Sequence, residues 1–274
     1  MNNSTIGAAV TMATLQQRLD LISDNIANMN TAGYKSKEGS FEDVLTRVQQ
    51  QSKDYDLEGR STPLGFDLGF GVRIPQITTS WEQGPLQETG KPTDLAIQGN
   101  GLFAVQVDGV TTYTRQGDFH FTPDTANPDR MALVDNTGNP VLDTTGKPLT
   151  VQKDASVAID ENGNVLLKKS ENDRATLAGR LMLVEPKNEN MLQAVDGGRF
   201  VLASGVTAGQ AFVQRQAGEA GGPAIRAGWL EQSNVDLNKE ITDMMQVQRA
   251  YQLAARALSS SDAMLGLANS MSKL

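Results

Sequence analysis

The segment DNIANMNTAGYK, residues 24–35, closes an amino-terminal run of helical periodicity with Asn, Thr and Gly. Upstream, Met12, Leu15, Leu19, Ile22, Ile26 and Met29 recur at spacings of three and four, the seam of a helix that packs on another helix. Asn25 and Asn28 stand one position before the last two seam residues, where they can hydrogen-bond along its edge or to a neighbouring chain. Asn30, Thr31 and Gly33 then offer the backbone alternatives to continued helix. Taken alone, the segment reads as a helix stop, a recognition element or a joint between two parts. Ser4 is the expected N-cap at the other end of the run.

The carboxy terminus repeats the pattern. Met244, Val247, Tyr251, Ala254, Leu258, Ser261, Leu265 and Ala268 alternate spacings of three and four, with large and small side chains on the two seam positions. That alternation lets a second helix approach closely, its bulky residues filling the gaps beside the small ones. Asp236 is the expected N-cap, and no Pro follows it. At about 1.5 Å per residue such a helix spans roughly 55 Å. A lone terminal helix is marginal in water, so the two ends need each other or copies from neighbouring chains.

Between the ends the period changes. LAIQGNGLFAVQVDGVTTYTRQGDFHFT, residues 95–122, alternates apolar and polar residues, and Asp108-Gly109 is a two-residue hairpin turn. Asp135, Asp143 and Asp160 each precede a Gly by three positions, and Gly-Gly-Pro at 221–223 marks a turn. The predicted class is α+β: terminal helices packing as a coiled-coil-like helical domain, with a central antiparallel β-rich domain. The expected divisions are 1–35 for the amino-terminal helix, 36–75 for a polar connector, 76–228 for the β-rich domain and 229–274 for the carboxy-terminal helix.

Composition narrows the function. The chain has 274 residues, a formal charge of −8, no Cys and one His. Negative charge argues against a nucleic-acid partner, and the missing thiols and imidazoles argue against disulfides, thiolate catalysis and a His-based metal site. No apolar stretch approaches 18 residues, so no membrane insertion is expected. The first basic residue is Arg18, and the amino terminus lacks the pattern of a cleavable secretory signal.

Several apparent chemical motifs reduce to turns and strands. Gly99-Asn100-Gly101 follows a strand but leads into another strand rather than a helix, so it is a turn and not a dinucleotide fingerprint. DENGNV at 160–165 lacks the ligand order of a calcium loop and reads as a β-turn. His120 falls on a strand face, and Asp118 and Asp124 read as solvated turn residues. No catalytic, cofactor-binding or metal residues are assigned, and no enzyme is predicted.

LISDNIANMNTAGYK at 21–35 and SNVDLNKEITDMMQVQRAYQLAARALSSSDAMLGLANSM at 233–271 resemble the paired terminal signatures of bacterial flagellar rod and hook proteins. GPLQETGKPTDLAIQGNGLFAV at 84–105 and YTRQGDFHFTPD at 113–124 are similar to the central motifs of that family. MMQVQRAY and the GFGVRI segment at 69–74 look most like the distal-rod branch. Asp24, Leu102 and Ala255 depart from the residues usual at those places.

The resemblance implies a non-enzymatic axial subunit without cofactors, exported by the flagellar export apparatus without cleavage and located in the basal body. Its partners would be copies of itself and neighbouring axial proteins of the rod and hook. The corresponding assembly residues would be Leu15, Leu19, Ile22, Asn25, Ile26 and Asn28 from one end, and Val247, Gln248, Arg249, Tyr251, Leu258 and Leu265 from the other. The competing class is an oligomeric extracellular binding module whose β domain recognises a protein or glycan.

Overall fold

A computed structural model describes residues 3–39, 42–43, 47–49, 66–68, 72–73, 77–124, 127–153, 156–168, 175–195, 197–213 and 222–271. The polar stretch at 50–65, most of GFGVRI and Gly221 lie outside the described residues. The fold is α+β, with contacting amino- and carboxy-terminal helices and central antiparallel sheets. The chain divides into two compact units.

The first unit comprises residues 1–27, 37–80 and 236–274. Its helices are α1 (Asn3–Ala27) and α3 (Leu237–Met271); a single short turn, α2 (Ala208–Ala211), belongs to the other unit. Asp236 caps α3: its Oδ1 accepts from the N–H groups of Asn238 at 2.9 Å and Lys239 at 3.3 Å. Those contacts satisfy donors that the first helical turn leaves open. Ser4, by contrast, lies inside α1 and is not its cap, because the helix already begins at Asn3. After α1 the chain forms three successive antiparallel pairs: Lys37–Gly39 with Ile77–Thr79, Glu42–Asp43 with Val72–Arg73, and Arg47–Gln49 with Phe66–Leu68.

The second unit, residues 28–36 and 81–235, is built around strand Leu102–Val107. In a strand, alternate side chains face opposite sides. Phe103 and Val105 enter a core with Leu95, Ile97, Phe119, Leu133 and Val165, whereas Leu102 and Ala104 enter another with Tyr113, Phe200 and Phe212. Burial on both faces explains why LFAV is a continuous apolar run. Phe103 and Phe119 meet edge to face, 5.1 Å between ring centroids.

This strand lies in a six-stranded antiparallel sheet ordered Leu192–Val195, Arg199–Leu202, Val110–Thr114, Leu102–Val107, Leu183–Pro186 and Phe212–Val213. The Asp108-Gly109 hairpin is present, with φ of 50° and 81° at its two residues, the left-handed geometry such a turn needs.

Asp135, Asp143 and Asp160 use one turn device three times. Each carbonyl accepts the N–H of the Gly three residues on, at 3.0, 2.7 and 3.0 Å respectively. In the last, the Asp160 carboxylate also accepts from the backbone of Asn162 and Asn164. DENGNV is therefore a self-satisfied turn. His120 begins strand His120–Pro123 with its side chain exposed. Asp118 differs from the solvated reading: it is half-buried, its Oδ1 finds no hydrogen-bond partner, and burial pushes its carboxyl upward. The backbone beside it explains the position, since Gly117 exchanges close contacts with Leu95 that no side chain at 117 would permit.

Candidate assembly interface

The helix pair is locked at one end by Asn25. Its Nδ2 donates to Glu240 Oε1 at 3.0 Å and to the Lys37 carbonyl at 3.0 Å, while its Oδ1 accepts the Lys37 N–H at 2.9 Å. The side-chain amide thus pairs with the Lys37 backbone as another peptide would, and a second donor fastens α3. Because the end of α1 meets the start of α3, the two helices run antiparallel.

Of the sequence-predicted residues, Ile22, Asn25 and Val247 are buried. Leu15, Leu19, Ile26, Asn28, Tyr251 and Leu258 are half-buried, while Gln248 and Arg249 are exposed. Leu265 lies on α3, but its side chain is outside the described set. Met29, expected to end the seam, follows the last helical residue and lies in the turn.

Thr14 is the residue the apolar pattern missed. It is buried, and its hydroxyl donates to the Val10 carbonyl at 3.0 Å, while Thr11 does the same to Gly7 at 2.8 Å. Thr11, Thr14, Arg18, Ile22 and Asn25 follow spacings of three and four, so the most buried line on α1 is largely polar. A hydroxyl satisfied by its own helix can be buried at little cost, and that was the available signal.

Beside this lock lies a cavity of about 250 Å³ lined by Arg18, Leu21, Ile22 and Asn25 of α1, residues 37–39, and Lys239, Glu240 and Asp243 of α3. Lys37 pairs with Asp24 at 2.7 Å, and Lys239 with Glu38 at 3.1 Å. Burial pushes the Glu240 carboxyl upward against the opposing pull of the Asn25 hydrogen bond. The Glu38 contact holds the Lys239 ammonium above its usual range. These groups fix a helix junction, and their arrangement places no nucleophile beside a base.

The opening segment ends in the β unit. The Asn28 carbonyl accepts the Thr31 N–H at 3.1 Å, and Gly33 takes φ +67°. A Cβ on Gly33 would lie 2.5 Å from the Arg115 backbone, so glycine is required both for the turn and for the approach. Tyr34, Lys35 and Ser36 are buried.

Three segments of the chain match flagellar families. Residues 8–35 match one described as flagella basal body rod protein, residues 96–167 the flagellar hook protein FlgE/F/G D1 domain, and residues 226–271 the flagellar basal body rod FlgEFG protein C-terminal family. Similarity extends over whole proteins. The flagellar hook-basal body complex protein FlhP of Bacillus subtilis is 32% identical, covering 99% of this chain and 100% of the relative. The flagellar basal-body rod protein FlgG of Borreliella burgdorferi is 31% identical over 97% of both chains. The rod protein FlgF of Caulobacter vibrioides is 34% identical over 94% of this chain and 93% of its own.

Proposed function

This chain belongs to the flagellar basal-body rod and hook protein family, whose members are non-enzymatic axial structural proteins, and from that premise we propose that it polymerises through its terminal helices into the distal rod. Unequal burial of those helices carries the assembly part. Among the described apolar side chains of α1 and α3 only Ile22 and Val247 are buried, whereas Ile241, Met245, Leu253, Met264 and Met271 are 43% to 75% exposed. Apolar surface of that kind on one helix is covered when copies pack helix against helix.

In the tube, Leu15, Leu19, Ile22 and Ile26 pack with Val247, Tyr251, Leu258 and Leu265. Asn25 and Asn28 sit at the edge of that packing, and Gln248 and Arg249 supply polar contacts to neighbouring copies. The distal position is supported by the near-complete overlap with FlgG proteins and by the resemblance of MMQVQRAY and GFGVRI to that branch. Copies of this chain and adjacent rod and hook proteins are its partners, reached by export through the flagellar apparatus without signal cleavage.

A tagged copy located along isolated basal bodies by electron microscopy tests the position. Label on the distal rod is expected. Label confined to the hook or proximal rod overturns the assignment, and purified protein that stays monomeric at high concentration overturns self-assembly.

A further inference from the structure

We infer that Lys35, Arg115 and Glu231 form a buried charge latch that holds side by side the two places, after residues 36 and 235, where the chain leaves the β unit for the helical unit. These three are positioning residues for the assembly just proposed. Glu231 is the hub: its Oε1 accepts from Lys35 Nζ at 2.7 Å and from the Gly84 N–H at 3.0 Å, and its Oε2 accepts from Arg115 Nε at 2.5 Å. The three side chains are 1% to 5% exposed.

Two cations surround one carboxylate, so backbone carbonyls take the remaining donors. Lys35 Nζ also donates to the Glu82 carbonyl at 2.6 Å. Arg115 donates through its two terminal nitrogens to Gly101 at 2.5 Å, Ile97 at 2.8 Å and Gly99 at 2.7 Å. Burial lowers the Lys35 ammonium, partly offset by Glu231.

The placement of the charges distinguishes this cluster from ordinary core filling. Lys35 precedes by one residue the exit of the first segment at 28–36, and Glu231 lies four residues before the second exit at 235. The backbones are tied there as well. Gly33 N–H donates to the Glu231 carbonyl at 2.7 Å, Ser36 N–H to Asn234 Oδ1 at 2.7 Å, and Asn234 Nδ2 to the Glu82 carbonyl at 3.1 Å.

Arg115 anchors both exits to the body of the sheet through the turn at 97–101. Charges in apolar surroundings gain little net stability over well-packed apolar groups but tolerate few geometries, which suits them to fixing a register. Each of the three family-matched segments supplies one member: Lys35 lies within 8–35, Arg115 within 96–167 and Glu231 within 226–271.

The test uses the full chain with Lys35→Met and Glu231→Gln, followed by hydrogen exchange of the monomer and electron microscopy of concentrated protein. Lys35→Met leaves the Arg115–Glu231 pair intact and is the variant expected to fold. Exchange should quicken at least tenfold at residues 33–36 and 231–235 and stay unchanged in strand Leu102–Val107, with tube formation lost or shifted to at least tenfold higher concentration. Glu231→Gln should show the larger effect at both exits.

Unchanged exchange at the exits in Lys35→Met overturns the latch. So does equal quickening in Leu102–Val107, which marks the cluster as part of the general core, and so do exits that loosen while tubes form as in the parent. If the parent itself forms no tubes, the assembly reading fails, and the exit exchange alone decides whether the latch exists.

Discussion

The two units solve the burial problem in opposite ways. In the β unit Leu95, Ile97, Leu102, Phe103, Val105 and Leu133 are completely or almost completely shielded, and the buried charges of Lys35, Arg115 and Glu231 are paired with one another. The helical unit buries two apolar side chains among its described residues, Ile22 and Val247, alongside Thr14 and Asn25. The β unit carries what it needs to fold. The helical unit makes its most specific contacts in a polar lock and leaves Ile241, Met245, Leu253, Met264 and Met271 exposed.

The largest test breaks the β side of that contrast. Phe103→Ala removes a fully buried ring from between two packed layers and should cost about 3–5 kcal/mol, read as a lower unfolding midpoint by the fluorescence of Trp81 and Trp229. A loss below about 1 kcal/mol would mean that this core is far more plastic than its packing implies.

The matching change on the helical side is Leu258→Asp, with Leu19→Asp as its counterpart on α1. Both positions are half-buried, so the β unit's unfolding midpoint should not move. The concentration needed for tubes should rise more than tenfold, about 1.4 kcal/mol per subunit. Tubes forming at the parent's concentration would show that these seam positions do not face a neighbouring copy.

The same contrast explains what could be read from the chain alone. Local patterns were sufficient for α1, for the Asp236 cap, for the Asp108-Gly109 hairpin and for the turns at Asp135, Asp143 and Asp160, because each is settled by residues within a few positions. Thr14 escaped because a scan for apolar residues cannot see a hydroxyl satisfied by its own helix.

The bonds of Asn25 to Glu240 and of Lys35 and Arg115 to Glu231 join residues more than 100 positions apart. A charge in sequence looks the same whether solvent or a buried partner awaits it. Asp118 departs from expectation for that reason: an acidic residue beside a Gly usually lies in water, and here the close approach of Gly117 to Leu95 draws it inward.

Asp118→Asn sharpens the β side with a smaller effect. Burial raises the carboxyl, with Asp135 and Asp94 adding to the rise. The folded state therefore holds the proton more tightly than the unfolded state. The stability linked to Asp118 is fully present below its ordinary value of 3.8 and is lost as pH rises through the higher folded value. The amide removes the charge, so the variant should be more stable than the parent at neutral pH, by up to about 1 kcal/mol, and should lose that advantage in acid. Equal stability of the two proteins at pH 7 would remove the cost assigned to the buried charge.

The smallest effect belongs to the lock between the helices. Burial is the main cause that raises Glu240; Asp243 and Glu38 add to it, while Asn25 and Lys239 oppose it. Its linked contribution to helix pairing is fully present below 4.5, the ordinary carboxyl value, and is lost as pH rises through the folded value. Glu240→Gln keeps an oxygen for Asn25 Nδ2 to donate to and removes the charge. In the parent, hydrogen exchange around residues 14–25 and 240–251, corrected for the intrinsic pH dependence, should slow on acidification towards 4.5. In the variant it should already be slow at neutral pH and change little. A parent that loosens on acidification would show that the ionised carboxylate strengthens the lock, making Asn25 the partner of a charge rather than of a costly buried group. The helical unit would then hold, like the Lys35–Arg115–Glu231 cluster of the β unit, a charge stabilised by its buried partner.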